Sequence, residues 1–204
     1  MPNWCITDYV VFGDKDDIES LWKVIKNTFN TDCRVKNDFG NWWLGNILDL
    51  HGLDWQKYDC RGEITQFTEE GPEHNFYEDG KSHFMFQTST AWKPCKGVFD
   101  SLKEFYPSVG FYYFAEEPGC DLLETNDVSG VFHPERIRLR ITDPTGNTEE
   151  EYFSSEEEFL VAVNKIEKCP YGDYTAWWEF IDEMDCEYSD DSPYEIDFVK
   201  VVKE

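Results

Sequence analysis

The chain opens with a pattern typical of a strand, followed by one typical of a helix. Residues 4–12 read Trp-Cys-Ile-Thr-Asp-Tyr-Val-Val-Phe, which predicts a strand with two largely apolar faces, as in the centre of a sheet. Gly13 and Asp14 end this strand. Apolar residues then recur on one face of a predicted helix, at Ile18, Leu21, Trp22, Ile25 and Phe29. A strand followed by a one-sided helix predicts a helix packed on a sheet.

Two more strands are predicted before the middle of the chain. Glycines interrupt the apolar residues of 36–60, so we expect a packed, partly helical loop there. Alternation of apolar and polar residues predicts strands at 61–69 and 82–89. Turn signals separate these two strands and enclose a polar excursion.

A strand-to-helix corner follows, where the strand at 82–89 meets a predicted helix at 94–106. The helix opens with a proline, whose fixed φ suits a first turn, and Ser89 or Thr90 can supply a capping oxygen. Trp92 stands at the turn itself. Because large aromatic residues at such corners usually belong to the core, we expect Trp92 to be a buried hinge between sheet and helix.

The next elements complete a recognisable order. A strongly aromatic strand is predicted at 109–116, and a strand at 126–132 can return antiparallel to it. The predicted order to this point is β-α-β-β-α-β-β, with a loop after the first helix. Without one of the hairpin strands, this is the order β-α-β-β-α-β of ferredoxin-like folds. We therefore expect an α+β fold, with a ferredoxin-like antiparallel sheet of about four strands and two helices on one face, over residues 1–132.

Residues 133–204 predict a C-terminal α/β extension packed on that domain. Arg136, Arg138 and Arg140 alternate with apolar residues, so we expect a half-buried strand with a basic outer face. On so acidic a chain, pairing of these arginines with its own carboxylates is the simplest expectation. The other predicted elements are a short strand, a helix begun by a serine–glutamate capping box, a second helix and a final strand, at 149–153, 154–166, 173–185 and 194–202.

Charge narrows the possible partners. The 204 residues include 43 acidic and 18 basic side chains, for a formal net charge of -25. Such a chain repels phosphates and anionic membrane surfaces, so we expect no direct binding to nucleic acid or to a membrane. It attracts proteins with a basic surface, and imitation of a nucleic acid would be a special case. Solubility alone is the simpler explanation of the charge.

The cysteines favour a reducing compartment. All seven are widely spaced, without a C-x-x-C pair, and the N-terminus has neither the basic nor the apolar region of a signal peptide. No apolar run approaches the length needed to span a bilayer. We therefore expect a cytoplasmic protein whose cysteines are mostly small buried hydrophobes.

No motif indicates a reaction. Cys5 would need a neighbouring base and an electropositive setting to act as a nucleophile, whereas the surrounding charge is acidic. The acidic loop at 185–191 lacks the glycine and the distal glutamate of a calcium loop, so we expect it to be solvated. Zinc-ligand spacings and phosphate-binding glycine loops do not occur. The sequence thus predicts no metal site, no cofactor and no catalytic residue.

Three segments resemble the YubB ferredoxin-like domain family, also called Api-type phage proteins. The first is Met1-Pro2-Asn3-Trp4-Cys5 with Gly13, the second is Thr90-Ala91-Trp92-x-Pro94, and the third is Glu116-Glu117-Pro118-Gly119. Trp55, with Tyr58 and Asp59, resembles the family's central tryptophan segment. Together these segments cover roughly residues 1–132.

The chain also departs from the family's pattern. Members tend to have Asn, Pro and Gly where this chain has Thr7, Cys95 and Asp121. The resemblance implies a ferredoxin-like α+β sandwich in a protein of bacterial plasmids, phages or other mobile elements. It implies no established activity, and so it supplies fold and context rather than chemistry.

We interpret the chain as a non-enzymatic accessory protein of a bacterial mobile element or its host. It would act by protein–protein contact through its acidic surface, with a basic protein as the partner. The alternative is a small-molecule or nucleotide-binding domain, or a weak enzyme, that uses an aromatic cleft. The residues assigned to that ligand site are Asn3, Trp4, Trp55, Trp92 and Glu117.

Overall fold

The computed structural model of the chain divides into two compact units, Met1–Asn126 and Asp127–Glu204. The residues it describes are 3–30, 35–76, 80–120, 122–142, 145–167, 172–173, 175–180 and 194–202. Both units combine helices with strands, so the predicted α+β class is confirmed.

The first unit is built on a sheet with helices between its strands. The strands are β1 (Trp4–Gly13), β2 (Gly62–Phe67), β3 (Glu73–Phe76), β4 (Lys81–Ala91), β5 (Gly110–Glu117) and β6 (Leu122–Thr125). The helices are α1 (Lys15–Phe29), α2 (Leu44–Leu50) and the short α3 (Lys96–Asp100), which continues as a 3-10 turn to Glu104.

Strand β1 lies at the centre of this sheet. Within the first unit the strand order is β6-β5-β1-β4-β2, and β3 also pairs with β4. Strand β1 runs antiparallel to both neighbours, so that Thr7 stands opposite Thr88 on one side and Ala115 on the other. Strands β2 and β3 pair antiparallel with β4, and β6 pairs antiparallel with β5. The central position predicted for this strand from its two apolar faces is therefore confirmed.

Helices α1 and α3 contribute to the same hydrophobic core as β1. The predicted apolar face of α1 is buried at Ile18, Leu21 and Ile25. The Tyr9 ring lies 4.5 Å, centroid to centroid, from the ring of Phe99 on α3. Burial of side chains this large stabilises the fold by about 1.5–3 kcal/mol each, so the core holds both helices to the strand.

The segment at 36–60 is packed and partly helical, as predicted. Helix α2 lies between two 3-10 turns, Gly40–Trp42 and Trp55–Lys57. The indole N–H of Trp43 donates to the carbonyl oxygen of Cys60 over 2.8 Å. Its ring also covers Gly45 so closely that a Cβ atom there would overlap the indole. The glycine is therefore needed inside the helix for this approach.

Two local predictions in this unit are wrong. Helix α3 is shorter than the predicted helix at 94–106, and its N-cap is Cys95, without a side-chain hydrogen bond. The predicted cap Thr90 instead donates from its hydroxyl to the carbonyl oxygen of Lys93 over 2.8 Å, which holds the corner. The strand that returns along β5 is β6, which ends before the predicted range 126–132. Residues 127–133 form a turn instead, because the Asp127 carboxylate accepts backbone N–H groups of the residues that follow it.

The second unit has its own small sheet and core. Its elements are β7 (Ile137–Thr142), β8 (Thr148–Phe153), α4 (Glu156–Glu167), a helical stretch at 175–180, β9 (Tyr194–Phe198) and β10 (Lys200–Val201). Strand β7 pairs antiparallel with β8 and with β9. Its core residues are Ile137, Leu139, Phe153, Phe159, Val163 and Trp177. The predicted capping interaction is present, because the Glu158 N–H donates to Ser155 Oγ over 3.3 Å.

The arginines of β7 follow the predictions in part. Arg140 pairs with Glu150 at 2.7 Å and with Glu195 at 2.6 Å, so its expected pairing with the chain's own carboxylates is confirmed. Arg138 is fully buried, which corrects the prediction of a uniformly basic outer face. The end of the predicted helix at 173–185 and the acidic loop at 185–191 lie outside the described residues.

Candidate functional site

Four of the five residues assigned to a ligand site lie at one end of the first unit. The backbone N–H of Trp92 donates to the carbonyl oxygen of Asn3 over 2.9 Å, one residue beyond the β1–β4 ladder. The Asn3 side chain lies against Gly119, since a Cβ atom there would overlap Asn3 Nδ2. The Gly119 N–H in turn donates to Glu117 Oε1 over 3.0 Å. We call this group, Asn3, Trp92, Glu117 and Gly119, the Trp92 corner.

Trp92 itself is exposed and has an unusual backbone conformation. Its φ is +73°, and among the described residues it is the one non-glycine residue with positive φ. The side chain is 43% exposed, so the prediction of a buried hinge is wrong. A left-handed residue other than glycine costs about 1–2 kcal/mol, and such strain is found mainly at ligand clamps, switches and active sites.

Trp4 is a second exposed indole at this end of the first unit. It is 43% exposed, and its ring meets the Phe39 ring edge-on with the centroids 6.2 Å apart. Exposed tryptophans are notable because a buried indole contributes more stability than almost any other side chain. Side chains alternate along β1, so the Trp4 indole lies on the face of the strand opposite to that of Cys5 and Glu117.

Glu117 presents a buried carboxylate at the same place. The residue is 2% exposed, and its Oε1 atom accepts the Gly119 N–H. Among the described residues, nothing donates a hydrogen bond to its buried Oε2 atom. Burying a charged oxygen without a partner is costly, and buried polar atoms in folded proteins are nearly always paired. The unpaired oxygen therefore points to a missing donor.

Two unpaired hydroxyl groups lie on the same face of the sheet. Thr88 Oγ and Tyr9 Oη are buried and have no hydrogen-bond partner within the described ranges. Side chains two residues apart on a strand share a face, and the register places Thr7 beside Thr88 and Ala115. By this register Thr88 lies two strands away from Glu117, and Tyr9 lies four residues along β1 from Cys5 in the hydrophobic core.

Lys96 is a described cation of this unit that is already engaged by Glu124. Lys96 Nζ donates to Tyr113 Oη and to Glu124 Oε1, both over 3.1 Å. Burial lowers the pKa of Lys96, but the hydrogen bonds to Tyr113 and Glu124 outweigh it and the pKa is raised. Lys96 is therefore held as a cation by Glu124 rather than by Glu117.

Trp55 does not join the Trp92 corner. Its ring packs edge-on against Trp43 at 5.1 Å, and its carbonyl oxygen accepts the Cys60 thiol. The residue belongs to the partly buried edge of the hydrophobic core. Of the five assigned residues, the structure brings Asn3, Trp92 and Glu117 together, places Trp4 on the opposite face of β1 and leaves Trp55 in the packing around α2.

Cys5 is buried, as expected for a structural cysteine. Burial raises the pKa of its thiol to about 11, although hydrogen bonds with Thr7 and Thr90 lower it, and the nearby charges of Glu124 and Glu117 raise it further. A thiol with such a pKa stays protonated at neutral pH and is a poor nucleophile.

The sequence did not single out Gly119, Thr88 or Tyr9 as site residues. Alternation along a strand tells which face a side chain occupies, but not whether its hydroxyl finds a partner. For Gly119, the turn signal Pro-Gly was visible, but the close approach of Asn3 depends on how the ends of β1 and β5 meet. These residues could be found only from the register of the sheet.

The described residues form neither a metal site nor a membrane-spanning helix. Within the described part of the chain, no three His, Cys, Asp or Glu side chains are grouped to hold a metal ion. Every described helix is too short or too polar to cross a membrane. Comparisons with known protein families, with curated proteins and with solved structures find no match.

Proposed function

We propose that this chain is a non-enzymatic accessory protein that binds a basic protein through its acidic surface. The observation that carries the proposal is a cluster of exposed carboxylates in the second unit. Glu149, Glu150 and Glu151 are exposed on β8, an outer strand of its three-stranded sheet. The first turn of α4 adds three more acidic residues, Glu156, Glu157 and Glu158.

Little positive charge opposes this cluster. Residues 127–204 contain 21 acidic and 7 basic side chains. Of the arginines, Arg140 is shared by Glu150 and Glu195, and Arg136 donates to the backbone carbonyls of Asp127 and His133. The negative field therefore extends into solvent, where it would speed association with a basic surface.

The proposed setting is the cytoplasm of a bacterium that carries a mobile element such as a phage or plasmid, and it rests on the sequence resemblance. A ferredoxin-like fold of the first unit is part of this proposal. The order β5-β1-β4-β2 and the antiparallel pairing support it, as does the shared core of α1 and α3. Nucleic-acid mimicry remains a special case, in which the partner's basic groove normally holds nucleic acid.

Affinity capture from the native host tests the acidic surface. The variant replaces Glu149, Glu151, Glu156 and Glu157 by glutamine. The control removes the same charge from the first unit, by glutamine at Glu63, Glu69, Glu70 and Glu104. We expect a basic protein that is captured at low salt by the wild type and the control, but is lost at high salt and with the variant. Equal capture by variant and control would refute the proposed surface.

A second candidate function is binding of a small ligand at the Trp92 corner. It is favoured by the unpaired Glu117 oxygen together with the exposed indole of Trp92. A thermal-shift screen with nucleotides, amines and other metabolites tests it, because a ligand of the native state raises the melting temperature. A true ligand should shift the wild type but not the Glu117→Gln variant. No shift across the screen would count against this candidate.

A further inference from the structure

We propose that the Trp92 corner binds an organic cation with several N–H donors, an ammonium or guanidinium group, through the Glu117 carboxylate. This names the ligand class of the second candidate function and therefore rests on it. The cation would pair with Glu117 Oε2, and the indole of Trp92 would flank the part of the ligand that remains outside.

The charge around Glu117 favours a cation. Glu117 and Glu124 contribute two carboxylates, and Lys96 pairs with Glu124 at 3.1 Å. The Glu117 oxygen that lacks a partner can accept hydrogen bonds but cannot donate them when ionised. A buried carboxylate is stable only when an opposite charge or hydrogen-bond donors replace its lost water. A bound cation would supply both.

The neighbouring groups favour an N–H-bearing cation over a metal ion. Calcium and magnesium need about six oxygen ligands, and the described residues contain no group of three potential metal ligands. The thiol of Cys5 is protonated at neutral pH because of its raised pKa. An ammonium or guanidinium group, in contrast, can pair with Glu117 Oε2 without six ligands around it.

The Trp92 indole supplies a second attraction that a metal ion would not need. Cations are attracted to the faces of tryptophan rings, and guanidinium groups also stack on them. Trp92 keeps its exposed side chain although its φ of +73° would suit glycine better. A binding role for the ring accounts for a residue that packing and backbone geometry do not explain.

The same chemistry can come from two sources. One is a free di- or polyamine, and the other is a lysine or arginine side chain of a basic protein, which the net charge of -25 would steer toward the chain. Titration calorimetry at physiological salt distinguishes them, with spermidine as the free amine and the capped peptide acetyl-Gly-Arg-Gly-amide as the side-chain probe. Saturable one-to-one binding of either probe supports the proposal and identifies the source.

The variants locate the binding site. We expect Glu117→Gln to weaken binding about 30-fold or more, because it removes the buried charge partner. Trp92→Gly should weaken it about two- to fivefold, as expected for one exposed cation–π contact, whereas Trp92→Phe should keep most of the affinity. The matched control is Glu116→Gln, which removes the same charge from the adjacent residue on the opposite face of β5 and should change affinity less than about twofold. Circular dichroism spectra must show that each variant is folded.

Two outcomes overturn the proposal. If Glu117→Gln binds the probes as tightly as the wild type, or Glu116→Gln loses as much affinity, then the general acidic surface attracts the amines and the Trp92 corner does not. If neither probe saturates the wild type at millimolar concentration, the corner does not take this class of cation. Neither outcome affects capture of a basic protein through the second unit, so failure of the corner and failure of the acidic surface remain distinguishable.

Discussion

The backbone N–H of Trp92 donates to the carbonyl oxygen of Asn3 while Trp92 is in the left-handed conformation. This hydrogen bond joins the end of β4 to the start of β1, and it is made at a residue whose φ is unfavourable for any side chain with a Cβ atom. The Trp92 backbone thus extends the hydrogen bonding between β1 and β4, whereas its exposed indole does not pack in the core. Substitutions can separate these two roles.

Replacing Trp92 by glycine should destabilise the protein less than replacing it by alanine. Both changes remove the partly buried indole, which at 43% exposure we expect to cost about 1–2 kcal/mol rather than the 3–5 kcal/mol of a fully buried aromatic. Glycine alone relieves the left-handed strain, so its free energy of unfolding should exceed that of the alanine variant by about 1 kcal/mol. Urea denaturation measures the difference.

The control for this prediction is Met85, which is similarly exposed but lies within β4. In an extended strand, glycine is less stable than alanine by about 0.5–1 kcal/mol. The order of the two variants should therefore reverse between Trp92 and Met85. An alanine variant of Trp92 that is as stable as the glycine variant would show that φ at this position is not strained.

Replacing Glu117 by glutamine should stabilise the ligand-free protein. Glutamine keeps an oxygen to accept the Gly119 N–H, and it removes a buried charge whose second oxygen is unpaired. We expect an increase of about 1 kcal/mol in the free energy of unfolding, measured as a higher melting temperature without added amines. Glu116→Gln is the control and should change stability by less than about 0.5 kcal/mol. A clear loss of stability in Glu117→Gln would mean that the carboxylate already has its partner.

Asp127 should be the most sensitive position in the first loop of the second unit. Its carboxylate accepts the backbone N–H groups of Gly130, Phe132 and His133 at 2.7–3.0 Å. Asp127→Asn leaves one acceptor oxygen and should cost about 2–3 kcal/mol in unfolding free energy, since hydrogen bonds to charged groups are the strong ones. Glu157→Gln, an exposed charge on α4, is the control and should have little effect.

We also expect protonation of the Asp127 carboxylate to destabilise the folded protein at acidic pH. Burial raises the pKa of Asp127, but the hydrogen bonds from His133 and Phe132 outweigh it, so the pKa is lowered from its ordinary value of 3.8. A lowered pKa in the folded state gives stability that is complete above about pH 4 and is lost as pH falls through the folded pKa. Asp127→Asn should flatten the melting-temperature profile below about pH 4. If the melting temperature of the variant falls in acid as steeply as that of the wild type, Asp127 is not a source of the acid sensitivity.

The buried thiols should be unreactive at neutral pH. Burial raises the pKa of Cys5 and Cys60 to about 11 and that of Cys95 to about 12, whereas Cys120 is exposed. The test replaces by serine the three cysteines outside the described residues, Cys33, Cys169 and Cys186. We expect Ellman's reagent to label one thiol rapidly in the folded variant and all four after denaturation. Rapid labelling of more than one thiol would show that the core of the first unit opens.

We also expect the ionisation of these buried thiols to destabilise the folded protein at alkaline pH. Because their pKa is higher in the folded state than the ordinary value of 9.0, folding favours the protonated thiols. Their contribution is complete below pH 9 and is lost as pH rises toward about 11. Cys5→Ala in this background should reduce the slope of melting temperature against pH in that range. A slope equal to that of the parent would exclude Cys5 as a contributor.

The sequence determined the elements whose faces follow from periodicity. The two largely apolar faces of residues 4–12 indicated a central strand, and the spacing of Ile18, Leu21 and Ile25 identified the buried face of α1. Such patterns are reliable because the period of a helix or strand decides which residues share a face, and apolar side chains must leave water. The sequence also assigned Asn3, Trp4, Trp55, Trp92 and Glu117 to one ligand site, but Trp55 lies apart from the others and Trp4 lies on the opposite face of β1.

The tertiary structure alone decided which of these side chains are buried. Trp92 was expected in the core, but the turn at the end of β4 directs its chain through a positive φ and leaves the indole exposed. Glu117 has the polar character of a surface residue, yet its position beside Cys5 buries it. Composition and periodicity cannot predict either outcome, because exposure at a corner depends on backbone dihedrals and on which strands end side by side.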